Sequence, residues 1–259
     1  MTITVAMPFY RNQGMLRLHL ETWAAYPPEV LDRMRFIIVD DGSPEPAEPV
    51  IRDAICGCDG NMAVKLDRIG KIGGHIFPSV QISLYRVEID RPWAWDCARN
   101  IAMHHAPDGW CLLTDIDHLL TAENAARLVY APLKPGRFYT PGRRRAVDGK
   151  PYKPHPNSFV LERSLFWEAG GYDEDFTGVY GKDSIWNRQL DMVGQRREWP
   201  ELELLLYGRE VLPDASTSTL GRKGSEYDVA LDPALSKRKK MAHLVKPTSH
   251  MRLPFHRVL

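Results

Sequence analysis

The chain has 259 residues, enough for one substantial domain or two small ones that share a core. Apolar residues make up 44% of it and charged residues 26%, which is ordinary for a globular protein. The formal net charge is only +1, so no global electrostatic field draws the chain to nucleic acid or to a membrane surface. No apolar stretch approaches the roughly 18 residues that a membrane span needs, and we therefore expect no transmembrane segment.

The first residues and the cysteines favour a cytoplasmic protein. Residues 1–6 lack the basic region and the apolar core of a signal peptide, and they look like the start of a strand. Cysteines occur at four positions, too few for the disulfide framework of a small secreted protein: Cys56, Cys58, Cys97 and Cys111. We expect a cytoplasmic location.

The first predicted elements are a strand, a helix and a second strand. Residues 2–8 alternate and then run apolar into Pro8, which predicts a strand closed by a proline. Apolar residues at helical spacing follow from Asn12, which we expect to cap the helix. Residues 36–39 form a short apolar run, typical of a parallel strand covered on both faces. This order is the βαβ unit of an α/β fold.

The middle of the chain continues the alternation of strands and helices. Residues 57–79 contain five glycines and predict a loop or an irregular insertion to which we assign no element. The following pattern predicts two strands and two helices in alternation, at residues 80–87, 96–105, 110–113 and about 122–130.

In the second half of the chain the regular alternation of strands and helices is less clear. It predicts a hairpin tip at residues 143–149, a strand at 157–161 and helices at 164–169 and 183–193. Gly170 and Gly171 follow the first of these helices and are the expected stop signal. Beyond about Pro213 the sequence is polar and punctuated, and it predicts no definite element. The pattern fits one compound domain better than two independent ones.

The sharpest chemical feature is Asp115-Ile116-Asp117, directly after the apolar run 110–113. Side chains two apart on an extended backbone point to the same side, so we expect the two carboxylates to converge. The carboxyl end of a strand is also where open α/β sheets bind ligands. Because adjacent anions repel, a hard divalent cation that also binds substrate phosphates would stabilise the pair.

Other α/β enzyme classes fit this pattern less well. Phosphatase-type hydrolases place an Asp-x-Asp after their first strand, whereas here at least three predicted strands precede it. Dinucleotide-binding enzymes need a glycine-rich turn after the opening strand, and residues 7–14 contain none. A sugar-phosphate nucleotidyltransferase needs a glycine-rich, basic N-terminal loop, which is also missing from the sequence. Phosphates must therefore be held by a metal and by cationic side chains.

Three segments together resemble the nucleotide-binding half of family 2-type glycosyltransferases of the GT-A fold: VAMPFYRNQGML, FIIVDDGSPEP and ARNIAMHHAPDGWCLLTDIDH. A later segment, NSFVLERSLFWEAGGYDEDFTGVYGKDSIWNRQL, resembles their acceptor side and a galactosyltransferase C-terminal segment. The resemblance covers roughly residues 3–190 in the expected order. It implies an α/β GT-A domain over 1–259, in which a Rossmann-like nucleotide-binding half with a mixed central sheet (1–120) is fused to an acceptor half (121–259).

The resemblance also implies roles for the donor-binding residues. Pro8 and Tyr10 would line the nucleotide pocket, and Asp40 or Asp41 would accept a hydrogen bond from the base. The other interpretation of the Asp40 turn is a carboxylate that caps a helix. The family places an arginine like Arg99 near the nucleotide. The resemblance also implies that Asp115 and Asp117 contact the ribose and the metal, and that His243 or His250 supplies a third metal ligand.

On the acceptor side the resemblance implies that Asp183 is the base that deprotonates the acceptor hydroxyl. Lys182 stands where the family usually has Glu, which exchanges an anion for a cation beside this base. Asp173 and Glu174 would hydrogen-bond sugar hydroxyls, and Tyr180 would offer an aromatic face to a sugar.

Together these features predict a metal-dependent, inverting glycosyltransferase. It would use Mn²⁺ or Mg²⁺ and a UDP-sugar donor, and its acceptor would be a carbohydrate or another hydroxyl compound. The alternative is a non-catalytic carbohydrate-binding or assembly module of the same fold, which Lys182 and the lack of a His at residues 213–222 favour.

Overall fold

The computed structural model describes residues 1–56, 80–91, 93–178, 182–216, 237, 240–241, 244–247 and 250–259. Within these ranges, helices cover both faces of one mixed sheet. Its ten strands are β1 (Ile3–Phe9), β2 (Met34–Asp40), β3 (Ile82–Val87), β4 (Trp110–Leu113), β5 (His118–Leu120), β6 (Arg137–Arg145), β7 (Pro151–Tyr152), β8 (Phe159–Glu162), β9 (Gln195–Leu206) and β10 (Phe255–Arg257).

The α-helices of the described ranges are α1 (Gln13–Ala24), α2 (Pro28–Leu31), α3 (Glu48–Cys56), α4 (Trp95–His105), α5 (Ala122–Val129), α6 (Arg163–Glu168) and α7 (Asp183–Val193). A short 3₁₀-helix covers Glu174–Phe176. None of these helices is both long and apolar enough to cross a bilayer.

The first four strands form the parallel part of the sheet, in the order β3-β2-β1-β4. Val5 on β1 pairs with Phe36 on β2 and with Leu112 on β4. β10 adds to β3 and β8 adds to β4, both antiparallel, while β6 and β9 pair parallel to each other. The predicted α/β class with a mixed central sheet is confirmed.

The sheet separates two apolar cores. Val5 and Phe36 belong to the core on one face, and their neighbours Ala6 and Ile37 belong to the core on the other. This alternation follows from the two-residue period of a strand. Since both faces are covered by helices, the central strands are apolar on both sides, as the short apolar runs predict.

The start of the first helix differs from the prediction. β1 continues through Pro8 to Phe9, and Asn12 precedes α1 but makes no side-chain cap hydrogen bond. Instead, Asn12 Oδ1 accepts from Tyr10 N at 3.2 Å and Asn12 Nδ2 donates to the Asp214 backbone oxygen at 2.5 Å. Asn12 thus occupies the predicted N-cap position, but its side chain joins the loop after β1 to the segment around residue 214 and does not cap the helix.

Candidate functional site

The acidic residues gather at one edge of the sheet, where the parallel strands end. β1 ends at Phe9, β2 ends at Asp40, and β4 is followed by Asp115. The chain leaves β1 toward β2 on one side and later returns to β4 on the other side. Such a reversal opens a crevice at the carboxyl ends of the strands, which is the usual ligand site of an open α/β sheet.

Asp40 is engaged by protein donors on both carboxylate oxygens. Oδ1 accepts from Ser43 N at 2.8 Å, and Oδ2 accepts from Ala47 N at 3.0 Å and from Arg86 Nη1 at 2.6 Å. Burial raises the pKa of Asp40, and these three donors act in the opposite direction. The geometry favours the interpretation in which Asp40 supports its own loop.

Asp41 is the other candidate for contact with the base. It is buried, and its backbone N–H donates to Phe9 O at 2.9 Å, which joins the ends of β1 and β2. Gly42 follows with φ of 64°, and a Cβ there would lie 2.6 Å from the Ile89 carbonyl oxygen. Only glycine fits this close approach without strain. Tyr10 lies at the same edge, with its hydroxyl donating to Asp90 Oδ2 at 2.9 Å.

Asp115 and Asp117 lie in a turn, and the expectation of an extended backbone here is wrong. His118 N donates to Asp115 O at 3.1 Å, and β5 begins at His118. Both side chains remain accessible, with 32% of Asp115 and 21% of Asp117 exposed. The acids therefore border solvent and are open to a ligand.

A histidine pair joins the two acids. Asp117 Oδ1 lies 2.7 Å from His118 Nδ1, and Asp115 Oδ2 lies 3.3 Å from His155 Nε2. The two imidazole rings are 4.6 Å apart. Burial lowers the pKa of His155 to about 4, while the charges of Asp115 and Asp117 act in the opposite direction. Since both acids act on one imidazole, they belong to a single cluster.

Arg143 orients the His118 ring from behind. Its Nη1 lies 2.9 Å from His118 Nε2, and its Nε donates to Lys153 O at 2.7 Å. A guanidinium group can only donate, so His118 Nε2 accepts and the ring proton is on Nδ1, which faces Asp117. Arg143 was not a predicted site residue, and His155 was also missed.

Arg99 connects Asp115 to the second half of the chain. Its fully buried guanidinium group donates through Nη2 to Asp115 Oδ1, and through Nη1 to Asn157 O at 2.5 Å and to Tyr172 Oη at 3.2 Å. Burial opposes the ionisation of Asp115, but the charges of Arg99, His155 and His118 and the hydrogen bond from Arg99 together lower the pKa of Asp115 to about 2. Asp115 is thus an anion held in place by a buried cation.

Asp183, the expected base, is the first residue of α7 and is half-buried. Burial raises the pKa of Tyr172, and the charges of Asp115 and Asp183 act in the same direction. Tyr172 therefore lies within electrostatic reach of both acids. The hydrogen bonds of Arg99 to Asp115 and to Tyr172 thus join the strand-tip acid to a tyrosine on which the charge of Asp183 also acts.

A small cavity lined by buried side chains lies beside the start of α7. Tyr172, Asp173 and Trp186 contribute to its lining. Asp173 also caps the 3₁₀-helix, since its Oδ1 accepts from Asp175 N at 3.1 Å. Tyr180, expected near an acceptor, lies outside the described residues.

Glu174 is occupied by protein donors. Oε1 accepts from Asn100 Nδ2 at 2.8 Å and from Met251 N at 2.7 Å, and Oε2 accepts from Arg252 N at 2.9 Å. These bonds favour a role in anchoring the C-terminal segment over a role in binding sugar.

The acid cluster fits a divalent cation that takes its remaining ligands from a substrate. Within the described ranges, no three His, Cys, Asp or Glu side chains come together as a complete ligand set. Asp117 Oδ1 is nevertheless buried and forms no hydrogen bond with the described residues, although it lies 2.7 Å from His118 Nδ1. Mg²⁺-type sites commonly use one or two carboxylates and complete their shell with phosphates and water.

The third metal ligand expected from the sequence is not at this cluster among the described residues. His243 lies outside them. His250 contacts the Gly170 carbonyl oxygen through Nε2 at 2.5 Å and packs edge-on against Trp167. It therefore supports the loop after α6.

The comparison with solved structures identifies the architecture. The chain matches the mannosyltransferase PcManGT from Pyrobaculum calidifontis, solved with GDP-Man and Mn²⁺, with a TM-score of 0.53 and 16% identity over 78% of this chain. It matches S. aureus TarS 1-349 in complex with UDP-GlcNAc with a TM-score of 0.58 and 10% identity over 97% of this chain. The chain has the GT-A fold.

The likeness is one of structure and not of sequence. The chain spans 56% of the mannosyltransferase, 68% of the TarS 1-349 chain and 43% of a longer TarS chain. No family model and no curated protein matches its sequence.

Proposed function

We propose that this protein is a metal-dependent, inverting glycosyltransferase that moves a sugar from a UDP-sugar to a hydroxyl acceptor. The observation that carries the proposal is the pair of accessible acids after β4, on a GT-A fold and linked through Arg99 and Tyr172 to the region of Asp183. Residues 1–120 would bind the donor, and residues 121–259 would bind the acceptor.

Donor binding would use the strand-tip crevice. Asp41, beside Pro8 and Tyr10, would accept a hydrogen bond from the base, and Asp115 would contact the ribose. The solved relatives bind GDP-Man and UDP-GlcNAc, which supports a nucleotide-sugar as the donor class.

Asp117 and Asp115 would hold the cation, with the nearby His155 as a further candidate ligand. When bound, Mn²⁺ or Mg²⁺ neutralises the charge of the diphosphate leaving group. The protein's own part includes keeping Asp115 ionised, to which the charge of Arg99 contributes.

Transfer needs a base on the acceptor side. The acceptor oxygen forms a bond to the anomeric carbon, its proton passes to the Asp183 carboxylate, and the bond from that carbon to the diphosphate oxygen breaks with its electron pair. Attack from the face opposite the diphosphate inverts the anomeric centre. A positioned base of this kind contributes roughly 10²–10⁴-fold to the rate.

The donor half of the proposal is tested by thermal unfolding with UDP-GlcNAc, UDP-glucose and GDP-mannose, each with and without Mn²⁺. A donor at 100 times its Kd should stabilise the protein by about 2.7 kcal/mol. We expect EDTA or Asp117→Ala to abolish this shift. Asp108→Ala, which changes a carboxylate that is 95% exposed, is the matched control and should keep it. Absence of any shift with every donor contradicts the proposal.

The catalytic half is tested by the release of the nucleoside diphosphate with water as acceptor. We expect Asp183→Asn to bind the donor as the wild type does and to lose turnover by about 10²-fold or more. Asp191→Asn, on the same helix, is the control and should keep turnover. Donor binding without turnover in the wild type would favour the non-catalytic binding module.

A further inference from the structure

Lys182, which directly precedes the proposed base, is a buried cation. Only 3% of its side chain is exposed, and its Nζ lies 2.7 Å from Asp96 Oδ1. The same Nζ donates to Trp93 O at 2.5 Å and lies 4.9 Å from the centre of the Trp95 ring. The ammonium group is therefore directed into the protein and away from solvent.

Asp96 is an equally buried partner in the first turn of α4. Its side chain is 0% exposed, and its Oδ2 accepts from Thr177 Oγ1 at 3.0 Å. Burial raises the pKa of Asp96, and the charge of Lys182 acts in the opposite direction. Removal of either partner leaves an uncompensated charge in the interior, so each residue requires the other.

The pair holds the point at which α7 begins. Lys182 is the residue before the helix, and its backbone oxygen accepts from Ile185 N at 3.0 Å. One turn later, Asn187 Nδ2 donates to Pro156 O at 2.8 Å and to the Asp183 backbone oxygen at 2.9 Å. The backbone of Asp183 is thus held between an attachment to α4 and an attachment to the loop before β8.

Asp96 and Lys182 also line the small cavity that Asp173 and Tyr172 border. A shift at the start of α7 would move Asp183, its first residue, relative to these residues. Misplacement by about 1 Å can cost 10²-fold in rate, even from a residue that does not touch the substrate.

We propose that Asp96 and Lys182 form a positioning pair that fixes Asp183 at the start of α7, an inference that rests on the proposed function of Asp183. Lys182 then does not act as a charge on the substrate. The cation that replaces the family's usual Glu is matched by an anion on α4, so the departure from the family pattern is compensated inside the protein.

The experiment compares Asp96→Asn, Lys182→Gln and the double variant with the wild type. Turnover is the release of UDP from UDP-GlcNAc in the presence of Mn²⁺, divided by the number of UDP-binding sites measured by titration. This division counts only folded protein, so a purely structural role leaves the ratio unchanged. We expect each single variant to lose roughly 10–100-fold in kcat per binding site, with the Kd for UDP within about twofold of the wild type.

Coupling decides whether the two residues act as one unit. We expect the double variant to lose no more kcat per site than the worse single variant, since the second change removes nothing that remains. Losses that multiply, or single variants with unchanged kcat per site, would overturn the proposal. If a single variant does not fold, the double variant alone decides, because it buries no unpaired charge; a kcat per site within about twofold of the wild type overturns the proposal.

Two further variants separate this inference from the proposed function. Asp191→Asn near the end of the same helix should leave kcat per site unchanged, and a comparable loss there would attribute the effect to the helix in general and overturn the pair. Full turnover in Asp183→Asn would contradict the proposed function, because Asp183 would not be the base. A loss of turnover in Asp183→Asn together with unchanged turnover in Lys182→Gln would contradict only the proposed positioning role of Asp96 and Lys182.

Discussion

At the scale of single residues, His19 on α1 is a buried imidazole outside the acid cluster. Its Nε2 lies 2.7 Å from the Ile116 carbonyl oxygen and donates to it, because a carbonyl only accepts. Its Nδ1 is buried and makes no hydrogen bond with the described residues. Burial lowers the pKa of His19 to about 4. A second proton on this ring would have no acceptor.

This shift predicts an acid-sensitive contribution to stability. The folded-state pKa lies below the unfolded value of about 6.5, so the unfolded chain binds the proton first as the pH falls. The free energy of unfolding should therefore decrease between pH 6.5 and 4, by up to about 3 kcal/mol from this residue. His19→Gln keeps a donor for Ile116 O and should flatten that decrease in urea titrations. His256→Gln, on the exposed β10, is the control, and equal pH dependence in wild type and His19→Gln contradicts the prediction.

The candidate site was only partly predictable from single residues. Asp115 and Asp117 follow a conspicuous apolar strand, and the resemblance placed Arg99 near the nucleotide. His155 lies in a loop with no periodic pattern, and Arg143 looks like part of a charged hairpin. His155 reaches Asp115 through the pairing of β8 with β4. Arg143 reaches His118 through the pairing of β6 with β9 and of β9 with β5. No local pattern encodes these pairings.

At the scale of elements, the loop after β2 depends on one close backbone approach. Gly42→Ala would introduce a left-handed alanine whose Cβ meets the Ile89 carbonyl oxygen at 2.6 Å. We expect this variant to lose about 2–3 kcal/mol in the free energy of unfolding. Gly136→Ala is the matched control, because its φ is 72° but no atom lies within 4 Å of the added Cβ. It should lose only about 1 kcal/mol in the same urea titration. Equal losses in the two variants would show that the contact with Ile89 is unimportant.

Strands and helices were predicted well where the apolar pattern was strong. The runs that became β1, β2 and β4 are buried on both faces, and α7 was predicted with its observed bounds. β9 was missed because its first half is largely exposed, charged and interrupted by Pro200. The pairing with β6 determines that this segment is a strand. Its own sequence therefore shows little of the pattern that predicts one.

At the scale of the whole molecule, the C-terminal segment joins the two halves. Met251 and Arg252 bind Glu174 through their backbone N–H groups, and β10 continues from there onto β3. Glu174→Gln would turn a carboxamide NH₂ toward one of these donors. We expect it to lose about 1–3 kcal/mol in stability and to make the segment after residue 247 more sensitive to limited proteolysis.

Asp175→Asn is the control for that prediction. It removes a partly exposed ion pair with Arg252 and should cost less than about 1 kcal/mol. Donor affinity per folded molecule should be the same in both variants if Glu174 acts only as an anchor. A selective loss of donor affinity in Glu174→Gln would instead support the expectation that Glu174 binds the sugar.

The addition of β10 to β3 has a consequence for how the protein is made. Phe255 pairs with Val87, 168 positions earlier, so the outer side of β3 remains open while the ribosome synthesises everything in between. An open strand edge is a template for pairing with another chain. Residues 255–257 therefore shield this edge of a nascent molecule only once they have been synthesised, and products truncated before Phe255 should aggregate through β3.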